Sequence, residues 1–400
     1  MIYLDNAASG WPKPPIVVQA VARYMEEVGA NPGRGGHRQA VEAARTVYVA
    51  RERLASLLGV KDPLRIVFGL NATEALNQAL LGFLFAGDHV ITSSVEHNSV
   101  MRPLRALQHQ GVQVSVVHCS PAGELDPQAV EAEIRPNTRL IALTHASNVV
   151  GTLLPIAEVG RMARRYGLLF LVDAAQTAGA CPIDVEAEGI DLLAFTGHKA
   201  LLGPQGTGGL YIGPRVALDE LAPLIRGGTG SRSEVEEQPD FLPDRYESGT
   251  LNGPGLAGLS AGVGYLLEEG VSRVHAQQVA LTRWLLDGLK RISGVTVYGT
   301  GDAGRQVAVV SFNVKGADPA EVGLRLDEEF LVMCRVGLHC SPAAHRTIGT
   351  FPGGTVRWSL SYLSTVEEID AALAGLEAIA RSVRAARQRS HLRRWPAGQL

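Results

Sequence analysis

The chain has 400 residues, enough for two or three domains of ordinary size and a large core. Hydrophobic residues make up 46% and charged residues 19%, and the formal net charge is −3. That balance excludes polyelectrolyte character and gives a nucleic-acid role no support. Four cysteines, Cys119, Cys181, Cys334 and Cys340, form no CxxC or other zinc-ligand spacing. A disulfide framework and a metal site are therefore not expected, and each cysteine is judged singly.

The first residues, Met1-Ile2-Tyr3-Leu4-Asp5, lack the basic start and apolar run of an export signal. No later window is long and apolar enough to span a bilayer, so a cytoplasmic location is expected. From about residue 40 to 213, helical patterns alternate with short apolar runs bounded by turn residues. These runs fall at 65–68, 88–92, 112–117, 140–143, 168–172, 192–195 and 210–212. The alternation predicts an α/β fold with a mostly parallel seven-stranded sheet covered by helices. A Gly-rich, charged stretch at 226–255 then reads as irregular surface or interface structure. Beyond it a long helical region runs to about residue 293. Strands at 307–312 and 356–360 follow, alternating with helices that start near Asp318-Pro319 and Thr365, the pattern of a second, smaller α/β lobe. Thr365-Val366-Glu367-Glu368 has the form of a capping box. The tail after Arg381 carries Arg384, Arg387, Arg389, Arg393 and Arg394, which reads as a solvated helix end or, alternatively, a partner-docking patch.

In an open parallel sheet, ligands bind at the carboxyl ends of the strands, and polar residues cluster just after the predicted strands. After the first comes Gly69-Leu70-Asn71-Ala72-Thr73-Glu74, where Asn71 can cap a helix, Glu74 can close the box, and the free amides and Thr73 hydroxyl suit a phosphate. An ordinary capped helix is the alternative. His97, Asn148, Asp173 with Gln176, and Thr196-Gly197-His198-Lys199 follow later strands. Singly, His97 reads as a packed or exposed histidine, Asn148 as a turn former and Asp173 as a helix cap. Together they make a pattern.

Tyr3-Leu4-Asp5-Asn6-Ala7-Ala8, Val172-Asp173-Ala174-Ala175-Gln176, Thr196-Gly197-His198-Lys199, Glu247-Ser248-Gly249-Thr250 and Arg335-Val336-Gly337-Leu338-His339-Cys340 resemble motifs of one family in the expected order. The family is the class V branch of the fold-type I pyridoxal-phosphate enzymes, and most closely its cysteine desulfurase and selenocysteine lyase group. The resemblance covers nearly the whole chain. It implies a large cofactor domain at 15–255 and a small domain made of 1–14 and 256–400. It also implies pyridoxal 5'-phosphate tethered by Lys199, which doubles as the base for the α-proton. Asp173 then faces the ring nitrogen, His97 stacks on the ring as a catalytic residue, and Asn148 and Gln176 meet its phenolic oxygen. Thr73, Thr196 and His198 bind the phosphate, Ala72 also contacts the cofactor, and Thr250 reaches the cofactor of a neighbouring subunit, which implies a homodimer.

For the substrate, the resemblance implies that Arg357, with Asn148, grips a carboxylate, and that Cys340 accepts sulfur from L-cysteine as a persulfide bound for an acceptor protein. The other three cysteines read as structural. Cys340-Ser341-Pro342 is tighter than the usual spacing from cysteine to proline, His345 follows, and Ser364 stands where many relatives have asparagine. Selenocysteine lyase therefore stays open, as does a class V epimerase, lyase or transaminase in which Cys340 is a bystander. A non-enzymatic binding protein on the same fold is disfavoured by the joint presence of Lys199, Asp173 and Arg357.

Overall fold

The computed structural model describes residues 1–33 and 35–392. The chain opens with β1 (Ile2–Tyr3), α1 (Pro15–Arg23) and α2 (Arg38–Leu58), then alternates β2 (Ile66–Gly69), α3 (Ala72–Phe83), β3 (His89–Ser93), α4 (Asn98–His109), β4 (Gln113–Val117), α5 (Pro127–Ala132), β5 (Thr138–Thr144), α6 (Ile156–Arg165), β6 (Leu169–Asp173), β7 (Leu192–Thr196) and β8 (Gly208–Ile212). Strands β2 to β8 form one sheet in the order β2-β8-β7-β6-β5-β3-β4. Strands β4, β3, β5, β6 and β7 pair in parallel, and β8 runs antiparallel to both β7 and β2. Alternate residues face opposite sides. Ile91, Ile141, Phe170, Val172, Leu193 and Phe195 enter one core, while Val90, Leu140, Leu171, Leu192 and Ala194 enter the other. Both faces are covered, which is why these strands read as continuous apolar runs rather than as polar-apolar alternation. Each of the seven expected strands lies within a few residues of its predicted place.

The irregular stretch after β8 leads into α7 (Gly253–Glu269) and α8 (Val271–Arg291), followed by β9 (Val295–Tyr298), β10 (Val309–Val314), α9 (Pro319–Phe330), β11 (Val332–Met333), β12 (Arg335–Gly337), α10 (Pro342–Thr347), β13 (Thr355–Ser359) and α11 (Val366–Leu392). A second, antiparallel sheet has the order β12-β13-β10-β9, and β1 pairs with β11. Thr365 and Glu368 exchange bonds of 3.1 and 3.2 Å, the expected capping box. The helical region beyond residue 255 differs from expectation in two ways. It is broken at Gly270, whose φ of +81° suits glycine. In addition, Leu256, Leu259, Val263 and Leu266 of α7 join the core of the large sheet, whereas Leu285, Leu286 and Leu289 of α8 join that of the small one. The core of the large sheet thus extends past residue 255 into α7 and the start of α8. Glycines explain the close seat of α7: a Cβ at Gly258 would lie 2.7 Å from Val21, and one at Gly262 would lie 2.6 Å from the Leu201 carbonyl.

Arg384 and Arg387 of α11 donate to the carbonyls of Ser293 and Lys315. Arg393, Arg394 and the side chain of Arg389 lie outside the described residues. Among the described residues, no helix is long and apolar enough to cross a membrane, and no group of three or more His, Cys, Asp or Glu side chains is arranged to hold a metal ion.

A buried ion pair fixes the irregular stretch to the sheet. Glu247 accepts from Arg51 and, at 2.6 Å, from the Phe68 amide of β2, while Arg51 also donates to the Ile66 carbonyl. Burial pushes the Glu247 carboxyl up, against the pull of Arg51. Removing one partner leaves the other charge stranded, at a cost of about 3 kcal/mol or more. Arg51→Leu should lower stability by about that amount at pH 8 in urea unfolding. The loss should shrink toward pH 5, because the unpaired Glu247 takes up a proton in the folded state above the pH at which it does so unfolded.

Candidate active site

The carboxyl ends of five strands open into one cleft of about 340 Å³. The strand order reverses between β3 and β5, and residues that follow both strands line the cleft, as expected of a ligand site in such a sheet. Asn71, Ala72 and Thr73 after β2, His97 after β3, Asn148 after β5, Asp173 and Gln176 at the end of β6, and Thr196, His198 and Lys199 after β7 all line it. The small lobe contributes Arg335, His339, Cys340 and Arg357. Of the residues singled out from sequence, Thr250 is elsewhere, on a surface groove where its hydroxyl accepts from Asn31 at 3.2 Å.

Asn71 accepts from the Glu74 amide at 3.0 Å and starts α3, whose first amides lack intrahelical partners and so suit an anion. Glu74 reaches back to the Leu70 amide, one residue before the place a standard capping box would use. Across the cleft, the buried Thr196 hydroxyl has no protein partner. An orphaned hydroxyl facing a helix start fits a phosphate-bearing ligand. Thr73, Ser99 and His97 form a chain of side-chain contacts of 2.7 and 2.8 Å. His97 Nδ1 also accepts from the Ser99 amide at 3.1 Å, so the proton of the neutral ring sits on Nε2.

Burial sets the protonation of the catalytic candidates. It lowers His97 to about 4, with Lys199, Arg357 and Arg102 adding to the effect. It also lowers Lys199 to about 8, although Asp173 pulls the other way. Asp173 is raised, again by burial first, against the Ala175 amide at 2.9 Å and the charge of Lys199. The pair thus leans toward neutrality until a charged ligand arrives. A ring nitrogen that shares a proton with Asp173, and a carbonyl that condenses with the Lys199 amine, both match this donor set.

Asn148 and Gln176 line the cleft, but their amides also bind protein groups. Gln176 donates to the Ala7 carbonyl at 3.1 Å. Asn148 donates to the His339 carbonyl at 2.7 Å and accepts from the Ser341 hydroxyl at 2.6 Å. Arg357, fully enclosed on β13, donates to the Asn148 carbonyl at 2.9 Å and to Asp5 at 2.9 Å, and its Nε has no partner. Directly opposite on β12, Arg335 also meets Asp5, at 3.0 Å. Asp5, Arg335, Ser99 and Ser341 had no role assigned from sequence; Asp5 and Ser341 meet partners 193 or more residues away, whereas Ser99 pairs with Thr73 and His97 nearby.

Of the chain's four cysteines, all among the described residues, Cys340 is the exposed one. Burial pushes Cys119 up to about 11 and Cys181 and Cys334 to about 12, which makes them poor nucleophiles. Cys340 and His339 both have left-handed backbones, with φ of +58° and +48°. For non-glycine residues this costs roughly 1–2 kcal/mol each.

The chain belongs to the class-V aminotransferase family, whose model matches residues 2–372. Within that family it is similar to proteins named as cysteine desulfurases. A probable cysteine desulfurase of Methanothermobacter thermautotrophicus is 39% identical, over 95% of this chain and 94% of its own. The apo structure of a cysteine desulfurase from Thermococcus onnurineus NA1 superposes with a TM-score of 0.89 at 33% identity, over 95% of each chain. A cysteine desulfurase of Escherichia coli, in an S-sulfonic acid form, gives 0.84 at 27% identity over 95% and 94%.

The depressed Lys199 has a measurable consequence in the cofactor-free protein. Between pH 8 and about 10.5 the unfolded chain holds a proton that the folded chain lacks, so stability rises with pH across that window. The rise due to Lys199 is on the order of 3 kcal/mol. Lys13, lowered to about 8 by burial but partly open to solvent, adds a smaller rise in the same direction. Urea unfolding at pH 8 and pH 10 should therefore show a smaller rise in Lys199→Met than in wild type, but not a vanishing one. Equal slopes would mean that the Lys199 amine is solvated.

Proposed function

We propose that this chain is a pyridoxal-phosphate-dependent cysteine desulfurase that converts L-cysteine to L-alanine and takes the sulfur onto Cys340 as a persulfide. The observation that carries this reading is that Cys340, the exposed cysteine, shares one cleft with Lys199, Asp173 and Arg357. The names of the similar proteins point the same way.

The cofactor supplies an electron sink for the substrate carbanion. The rest is the work of the chain's own side chains. Lys199 Nζ, partly neutral near pH 8, would hold the cofactor and then serve as the base that removes and returns the α-proton. Asp173 would hold a proton on the cofactor's ring nitrogen, and His97, neutral with its proton on Nε2, would pack against the ring. Ala72, Thr73, Thr196 and His198, which line the cleft, would hold the phosphate, and Asn148 and Gln176 would meet the ring's oxygen. Arg357 receives the substrate carboxylate with its unpartnered Nε and the arm it shares with Asp5. The Cys340 thiolate attacks the substrate sulfur, an S–S bond forms as the C–S bond breaks, and that electron pair is protonated to give alanine. A thiol on an acceptor protein then removes the sulfur and frees Cys340.

Thr250, outside the cleft of its own subunit, fits a homodimer in which it reaches the partner's cofactor phosphate. A reducing, cytoplasmic setting suits four free cysteines.

Cofactor-loaded wild type given L-cysteine and a thiol reductant should release alanine and sulfide. Cys340→Ser should lose at least a hundredfold in alanine release while keeping the cofactor's visible absorbance. Full activity in that variant, or inactivity of wild type on both cysteine and selenocysteine, overturns the reading. Arg357→Lys, which cannot present a fork, should lower kcat/KM for cysteine by roughly tenfold to a hundredfold, a loss of about 1–3 kcal/mol seen mainly as raised KM.

A further inference from the structure

The two left-handed residues at Cys340 need something to hold them, and the bonds around them converge on one amide. Ser341, fully buried, donates its hydroxyl to Asn148 Oδ1 at 2.6 Å, and Asn148 Nδ2 donates to the His339 carbonyl at 2.7 Å. The carbonyl of Cys340 itself accepts from the Asn98 amide at 2.9 Å. The orientation of the Asn148 amide follows from its partners. A carbonyl can only accept, so the nitrogen must face His339; Oδ1 is left to face Ser341, whose hydroxyl must donate. The residues before and after Cys340 are thus gripped by the side chain of Asn148, which lines the cleft and whose backbone carbonyl accepts from Arg357.

We infer that Ser341 is a positioning residue: through Asn148 its hydroxyl fixes the Cys340 thiol at the wall of the cleft, in register with the carboxylate-binding Arg357. The inference rests on the reading of Cys340 as the sulfur acceptor. Without the hydroxyl, Asn148 Oδ1 loses a buried donor and is free to turn, the His339 bond loosens with it, and the left-handed turn relaxes. Ser341 lies in the segment where this chain departs from the commoner cysteine-to-proline spacing.

Ser341→Ala in the cofactor-loaded full chain tests this with two readouts. The first is steady-state alanine formation from L-cysteine. Here kcat should fall at least tenfold, and by a larger factor than any change in KM, because the approach of the thiol is disturbed more than the carboxylate grip of Arg357. The second is alkylation of Cys340 by iodoacetamide, followed on its own peptide by mass spectrometry. This should quicken at least threefold as the turn loosens. Unchanged alkylation overturns the inference whatever the enzyme's substrate, since it reports the thiol's setting without turnover. An unchanged kcat also overturns it, as does a shift in KM and absorbance that matches the loss in kcat, which would mark general damage to the fold. Failure of the desulfurase reading shows separately, as activity retained in Cys340→Ser.

Discussion

Two guanidinium groups face each other across the antiparallel pair β12 and β13, and the Asp5 carboxylate between them makes that arrangement tenable. Like charges directly opposite on a sheet repel, the more so when one of them, Arg357, is fully enclosed. Asp5 comes from the N-terminal segment, so the segment that neutralises the arginines also pins the small lobe to the cleft. Its neighbours continue the clasp. Asn6 Nδ2 and the Ala7 amide bind Ser359 at 3.0 and 2.8 Å, and the Ala7 carbonyl receives Gln176. The Gly10 amide and Lys13 ammonium both donate at 2.8 Å to the His198 carbonyl, next to Lys199. A Cβ at Gly10 would sit 2.7 Å from the Lys199 carbonyl, so no larger residue allows this approach. One strap of about a dozen residues thereby sets the spacing between the amine on one wall and the guanidinium on the other.

Within that frame, desolvation outranks pairwise attraction. Lys199 and Asp173 attract each other, yet burial is the larger influence on both and moves both toward their neutral forms. The same holds for His97. A cleft that holds its ionisable groups away from their charged states, beside a helix start and an orphaned Thr196 hydroxyl, is organised around charges that a ligand brings with it. This is consistent with a site whose stability and chemistry both depend on its cofactor.

Much of this was legible in the sequence because it is local. Strands buried on both faces announce themselves as short apolar runs, and a parallel sheet puts the residues that follow them at one crevice, which is why Thr73, His97, Asn148, Asp173 and Lys199 could be placed together before any geometry was known. Asn71 and Thr365 declared their helices through spacing alone. What stayed hidden depends on long-range contact. Asp5 lies in a recognisable opening motif, but its partners are more than 300 residues away. Helical periodicity showed that 255–293 is helical; it carried no information on which core the apolar face of α7 would enter. Ser341 is an unremarkable polar residue until the fold brings Asn148 against it.

The choice of one cysteine among four is likewise made by tertiary structure. By composition the four thiols are equivalent. Cys119, Cys181 and Cys334 are buried or half-buried against the cores, and burial disfavours their thiolates well beyond neutral pH. Cys340 is instead exposed, standing on a turn that the backbone resists, with two successive left-handed residues. The strain and the exposure have one origin: a relaxed, right-handed path at these positions would carry the chain along a different course from the one the His339, Ser341 and Asn98 bonds enforce. A nucleophile that must be reachable and yet held at a fixed place requires such a compromise, and the cost of a few kcal/mol is small beside the cores of the two lobes that anchor both sides of the cleft.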